Sequence, residues 1–247
     1  MIERIIKTNV KLITIIFLSC PIFFSQTIYK GTFIVIFKFN DTIFVAADSK
    51  AVSQNYKGLR IEETSLCKIG FLDNIGYAIA GVSMASNGFD ISVYCRQACR
   101  IKGNIFQKAA RFREIVESPL RNIWQNSPEP LLPSESQVAF FGFYMDKPIM
   151  IKQRFIPSRD TFIVVTTLPK SSTIDSPDII CLGVEKALNE FISISNQDFV
   201  FGTGIDGASN VVKLAIKAFP DDCGEPINTL ICTKNGFQWI SKHQPCN

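Results

Sequence analysis

The chain has 247 residues, 47% of them hydrophobic and 19% charged, which excludes a disordered chain and leaves room for one large domain or two small ones. It carries 26 Lys and Arg against 22 Asp and Glu, a formal +4. Arg4, Lys7 and Lys11 against Glu3 put half of that excess in the first 25 residues, and the balance left for the remainder is no basic stripe, which argues against nucleic acid as a partner.

Residues 1–25 read as a secretory signal peptide: three early basic residues, a nearly unbroken apolar run from Leu12 to Phe24, then a small polar exit at Ser25-Gln26-Thr27. Two alternatives stay open. One is an uncleaved membrane anchor, against which the short run and Pro21 argue. The other is a lipoprotein site at Cys20. With Cys20 removed, seven cysteines remain (Cys67, Cys95, Cys99, Cys181, Cys223, Cys232 and Cys246), and export permits disulfides among them while the odd count leaves at least one over. No spacing is CxxC and the single histidine is His243, so no metal site is indicated.

Next come two β-branched and aromatic runs, 33–39 and 42–48, around Asn40-Asp41, a hairpin signal. Residues 66–71 and 75–80 repeat it around Asp73-Asn74, so four short strands open the domain. From Met84 to about Gln125 the spacing is helical, with Gly103-Asn104 between two helices. A proline-rich loop (127–136) leads to a hairpin, 138–144 and 148–155, around Asp146-Lys147, and 162–167 adds a strand. Helical spacing returns at 184–192 and 208–219, and strands 228–233 and 236–240 close the chain. Strands and helices in separate blocks indicate α+β layering, and two antiparallel sheets with helices outside each, a four-layer αββα sandwich, would satisfy it.

A two-residue turn at Asn40-Asp41 makes opposed positions sum to 81, so Phe33 faces Asp48 and Thr32 stands within side-chain reach of that carboxylate. A hydroxyl beside a carboxylate becomes chemistry if Thr32 is the first residue of the mature chain. Its α-amine, with a reference pKa near 7.7–8.0, can then accept the hydroxyl proton. A buried lysine nearby would lower that pKa further.

Residues 31–50, Gly-Thr-Phe-Ile-Val-Ile-Phe-Lys-Phe-Asn-Asp-Thr-Ile-Phe-Val-Ala-Ala-Asp-Ser-Lys, resemble the start of a proteasome β subunit, an N-terminal nucleophile (Ntn) hydrolase, and 67–81 resemble its next segments. The resemblance implies Thr32 as nucleophile, Asp48 as orienting carboxylate, Lys68 as the pKa-lowering ammonium and the Gly81 N–H as oxyanion donor. It puts Cys223 where a supporting serine usually stands, with Asp221 and Asp222 as shifted candidates for an upstream aspartate, and Cys181-Leu182-Gly183 where a serine-containing turn is usual. Ser49 is either a partner of Asp48 or a turn residue. Cys67, beside Lys68, is a candidate for a disulfide that locks the site; Cys95 and Cys99, at i and i+4, read as core or disulfide positions. Gly202-Thr203-Gly204 lacks a phosphate-loop pattern and reads as a plain loop.

The expected protein is thus an exported, bacterial-type, proteasome-like Ntn hydrolase: signal peptide 1–25, propeptide 26–31 and one domain from 32 to 247, matured by autolysis at Gly31–Thr32. Its partner is a peptide or amide substrate, and no metal or organic cofactor is implied. The resemblance suggests assembly into a homo-oligomer, and a membrane enters only if the first segment stays uncleaved. Two alternatives remain: a small-molecule amidase or acylase on the same fold, and a catalytically silent scaffold or binding subunit.

Overall fold

The run Phe-Ile-Val-Ile-Phe at 33–37 offers no polar face, so a strand built from it has to be covered on both sides. The computed structural model supplies that cover; it describes residues 28–30, 32–54, 60–85, 88–125, 135–158, 162–168, 178–183, 204–243 and 246. Eight strands precede the first helix: β1 (Ile28–Lys30), β2 (Phe33–Phe39), β3 (Thr42–Ala47), β4 (Lys50–Gln54), β5 (Arg60–Ser65), β6 (Ile69–Leu72), β7 (Ile75–Gly81) and β8 (Met84–Ala85). Helices α1 (Ile91–Arg100) and α2 (Ile105–Gln125) follow, then β9 (Ser136–Tyr144), β10 (Lys147–Pro157), β11 (Phe162–Thr167) and β12 (Asp178–Gly183). Helix α3 (Ile205–Ala218) and the hairpin of β13 (Asn228–Thr233) and β14 (Gly236–Ser241) end the described elements.

Among the described residues every strand pair is antiparallel. One sheet runs β12-β2-β3-β13-β14, a second β11-β10-β9-β7-β6, and a third, smaller one β5-β4-β1-β8. Alternation along β2 splits its apolar run between two cores. Ile34 and Ile36 meet Ala78, Ala80, Phe141 and Leu230 between the two five-stranded sheets. Phe33, Val35 and Phe37 meet Ala208, Val211 and Val212 of α3. The other face of β7, β9 and β10 packs under α1 and α2, where Phe112, Val116, Leu120 and Ile123 are buried. Each such side chain contributes about 1.5–3 kcal/mol through burial. The architecture is mixed α/β with antiparallel sheets and, among the described residues, three helices.

Several sequence expectations shift. Strands β1, β4, β5 and β8 are additions to that reading, because β1 and β8 are only three and two residues long and β4 and β5 are mostly polar, too little for a period-2 apolar signal. Helix α1 begins at Ile91 rather than Met84, since Asp90 caps it by accepting from Ser92 N at 2.8 Å and Met84–Ala85 form β8. The β9–β10 turn is Met145-Asp146, one residue early, with both at positive φ as a two-residue hairpin turn needs. Residues 181–183 end a strand, β12, instead of forming a turn. The signal segment 1–25, Gly31, the helix at 184–192, Gly202-Thr203 and most of the loop at 127–136 lie outside the described residues. No helix among the described residues is long and apolar enough to cross a membrane.

Candidate functional site

The register of the first hairpin decides which groups meet. Ile34 faces Ala47 and Phe37 faces Phe44, so opposed positions sum to 81. Asp48, just past β3, donates its N–H to Phe33 O at 3.2 Å, while Phe33 N returns a bond to Asp48 Oδ1 at 2.6 Å. Thr32 precedes β2 and is 4% exposed. The candidate nucleophile is therefore one peptide unit from the carboxylate.

Asp48 is fully buried and accepts four bonds. Oδ1 takes Phe33 N and Lys68 Nζ, the latter at 2.9 Å; Oδ2 takes Lys50 N and Gly224 N, each at 3.1 Å. Lys68 stands in the connector between β5 and β6, and its buried ammonium also donates to Lys50 O. Burial pushes the Lys68 pKa down, and the Asp48 carboxylate opposes that without cancelling it. A buried ion pair of this kind does little for stability by itself, but removing either partner leaves an uncompensated charge.

Ser49 is buried too, and its Oγ accepts from Asn228 Nδ2 at 2.7 Å. Cys223 lies close enough to Asp48 and Lys68 to feel both; burial, reinforced by the Asp48 carboxylate, pushes its thiol up to about 12. The thiol is therefore neutral and a poor nucleophile near pH 7. Asp221 and Asp222, expected as supporting acids, stand exposed after α3; what that turn sends to Asp48 is the Gly224 N–H.

Gly81 ends β7 at a φ of +79°, and a Cβ there would collide with the Glu135 carbonyl. Its neighbours fix its N–H direction. Ile79 N donates to Lys68 O at 2.9 Å and Val82 N to Glu135 O at 3.2 Å, so alternation turns the Gly81 N–H to the Lys68 side. Gly183, at a φ of +96°, lies so near the Thr32 carbonyl that any Cβ would overlap it, and its own N–H donates to Gln137 Oε1 at 3.1 Å.

Upstream of Thr32, β1 is one of two inner strands of the small sheet, pairing Tyr29 with Ser53 of β4 and with Met84 of β8. Beyond Lys68 opens a cleft of about 570 Å³ lined by Tyr77, Ile79, Ser83, Met84 and Trp239 among others. Cys67 is disulfide-bonded to Cys246; Cys95 and Cys99 are free thiols on the buried face of α1, where burial raises both pKa values. Among the described residues no cluster of His, Cys, Asp and Glu could hold a metal. Sequence reading missed Asn228 and the carbonyl of Lys50. Neither leaves a trace in sequence, because one acts across strands far apart in the chain and the other through its backbone.

No family model and no curated protein matches the chain. Solved structures similar to it in shape include Anbu (ancestral beta-subunit) from Yersinia bercovieri, 13% identical over 87% of this chain and 89% of that one, with a TM-score of 0.52. An Anbu (Gly-1) mutant from Hyphomicrobium sp. strain MC1 is 14% identical over 86% of each chain, with a TM-score of 0.53. At such identity the likeness shows a proteasome-like fold and nothing finer. The expectation of a proteasome β-subunit-like Ntn hydrolase of exported bacterial type is corrected accordingly: resembling segments at 31–50 and 67–81, with a weaker match near 223–240, do not carry family membership when the likeness along the chain is to Anbu structures at 13–14% identity.

Proposed function

We propose that this chain is a threonine-type amide hydrolase that matures by cutting its own Gly31–Thr32 bond. The observation that carries the reading is the buried Lys68–Asp48 pair, anchored by Phe33 N one residue from Thr32. In maturation Thr32 Oγ1 attacks the Gly31 carbonyl, the acyl group moves from nitrogen to oxygen, and water hydrolyses the ester. Gly31 leaves as a carboxylate and Thr32 as a free amine. In turnover that amine accepts the hydroxyl proton as Oγ1 attacks a substrate amide, then returns it to the leaving nitrogen, and water clears the acyl-enzyme. The Lys68 ammonium keeps the amine's pKa low, Asp48 holds both in place, and the Gly81 N–H is aimed to stabilise the oxyanion.

The cleft next to Lys68 suits a substrate side chain with an apolar body, given Ile79, Met84 and Trp239 on its walls. The three cores, helices over one sheet, sheet on sheet, and helix over the other, support an αββα reading of the fold. The Cys67–Cys246 bridge supports an exported setting, with residues 1–25 as its signal. Homo-oligomeric assembly belongs to the same reading, by likeness to a protein named as an ancestral beta-subunit.

One observation favours a second reading, a silent subunit: residues 28–30 are already knit into a sheet between β4 and β8, where an uncut chain would keep them. Intact-mass measurement separates the two. The hydrolase reading expects a chain beginning at Thr32 that takes up one equivalent of a threonine-directed electrophile, and a Thr32→Ala chain that keeps its upstream residues. A wild-type chain that still extends upstream of position 32 and takes no adduct would overturn it.

A further inference from the structure

A closed circuit of bonds joins Lys68 to the chain's C-terminal segment, and apart from the Lys68–Asp48 pair the proposed chemistry does not use it. Lys68 Nζ donates to Asp48 Oδ1, and Cys67, its neighbour, is bonded to Cys246. Cys246 N donates to His243 O at 2.9 Å, and His243 N to Asn228 Oδ1 at 2.7 Å. Asn228 Nδ2 donates to Ser49 Oγ at 2.7 Å, and Ser49 adjoins Asp48, which closes the ring. Ser241 steadies the base of this strap: its Oγ donates to Ile227 O at 3.2 Å and lies 2.7 Å from His243 Nε2.

The ring matters because Leu66–Lys68 belong to no strand. Backbone bonds brace the connector at its two ends, Leu66 N to Ser49 O at 2.8 Å and Ile79 N to Lys68 O at 2.9 Å. A lysine held this way gains hydration and rotamer freedom by swinging into water, and its lowered pKa records how unfavourable burial is for the ammonium. Something has to keep the connector from yielding. Between its two braces, Cys67 is fixed to Cys246, and Cys246 is fixed in turn to the strand that carries Asn228.

We infer that the strap formed by Ser241, His243, Cys246 and Asn228 positions Lys68 against Asp48, with the Cys67–Cys246 bond as its clasp. Opening the clasp takes two electrons and two protons. A dithiol supplies both, becoming a cyclic disulfide as Cys67 and Cys246 become thiols. Lys68 then leaves Asp48. In consequence, and here the inference rests on the hydrolase reading, Thr32 loses the ammonium that lowers its amine's pKa.

Amine acylation of the full chain, read peptide by peptide by mass spectrometry before and after dithiol treatment, tests this. Lys108 and Lys152 are internal controls, buried elsewhere in the fold with their ammonium groups on Cys99 O and Cys181 O. The expected result is a rise of roughly tenfold or more in Lys68 acylation with both controls unchanged, as a local opening requires. A Cys246→Ser chain should behave like the reduced protein and ignore the dithiol. The inference is overturned if Lys68 stays protected once both thiols are free. It is equally overturned if all three lysines react together, since the bond would then be a general staple. Threonine-directed labelling, run in parallel, should slow on reduction and recover on reoxidation. A protein whose Thr32 takes no label in either state sinks the hydrolase reading, while the acylation result still decides the clasp.

Discussion

Asp48→Asn changes one atom at the point where the site's bonds converge. The carboxylate accepts two donors on each oxygen, Phe33 N and Lys68 Nζ on Oδ1, Lys50 N and Gly224 N on Oδ2. An asparagine amide has one oxygen and one NH2, so in either orientation the NH2 meets two donors head-on. Two charge-assisted bonds are lost, at about 1.5–3 kcal/mol each. Removing one partner of a buried ion pair leads by another route to about 3–5 kcal/mol. Both figures converge on about 4 kcal/mol, a large share of the 5–15 kcal/mol typical of a whole domain. Lys68 also loses the interaction that opposes its burial, so its pKa falls further. Urea unfolding of the Asn chain against wild type measures the stability loss, and intact mass reports whether residues upstream of Thr32 persist. Asp222→Asn, at an exposed carboxylate in the neighbouring turn, should move stability by no more than about 0.5 kcal/mol. If Asp48→Asn costs under about 1 kcal/mol, or the variant still trims itself at Thr32, the four-donor account of this site is wrong.

Gly183→Ala should be among the most damaging single-methyl changes in the chain, because the residue has a φ of +96° and its new Cβ would occupy the space of the Thr32 carbonyl. A loss of about 2 kcal/mol or more, together with retained upstream residues, is expected by chemical unfolding and mass measurement; a wild-type outcome would mean that Thr32 is not held there. Cys223, with its thiol pushed up to about 12, should be about one part in ten thousand thiolate at pH 8, against about one in ten for a thiol at the ordinary 9.0. It should resist alkylation in the folded protein until denaturant is added, and rapid native labelling would contradict its burial. The same raised value has a sign for stability. The neutral thiol's contribution is full below pH 9.0 and is lost as pH rises toward about 12, so a Cys223→Ala chain should show a shallower alkaline decline in unfolding free energy.

Local sequence determined the first hairpin outright. Asn40-Asp41 between two apolar runs set a register that brings Phe33 to Asp48, and a register is a matter of counting once the turn is known. The helical spacing of α1, α2 and α3 and the edge strand at 162–167 were legible for the same reason, since period and turn chemistry are local properties. Two groups of the site were not. Gly224 N arrives from 176 residues away and Asn228 reaches Ser49 across 179, and no local pattern distinguishes these residues from others in turns and strands. Cys67 was visible as a candidate for a bridge, but Cys246 became its partner only because β14 delivers the end of the chain to the Lys68 connector. Residue types and spacings decide which chemistry a chain could carry. Which donors crowd one buried carboxylate is decided when distant segments are packed together, because only then does each lose its water and need a partner.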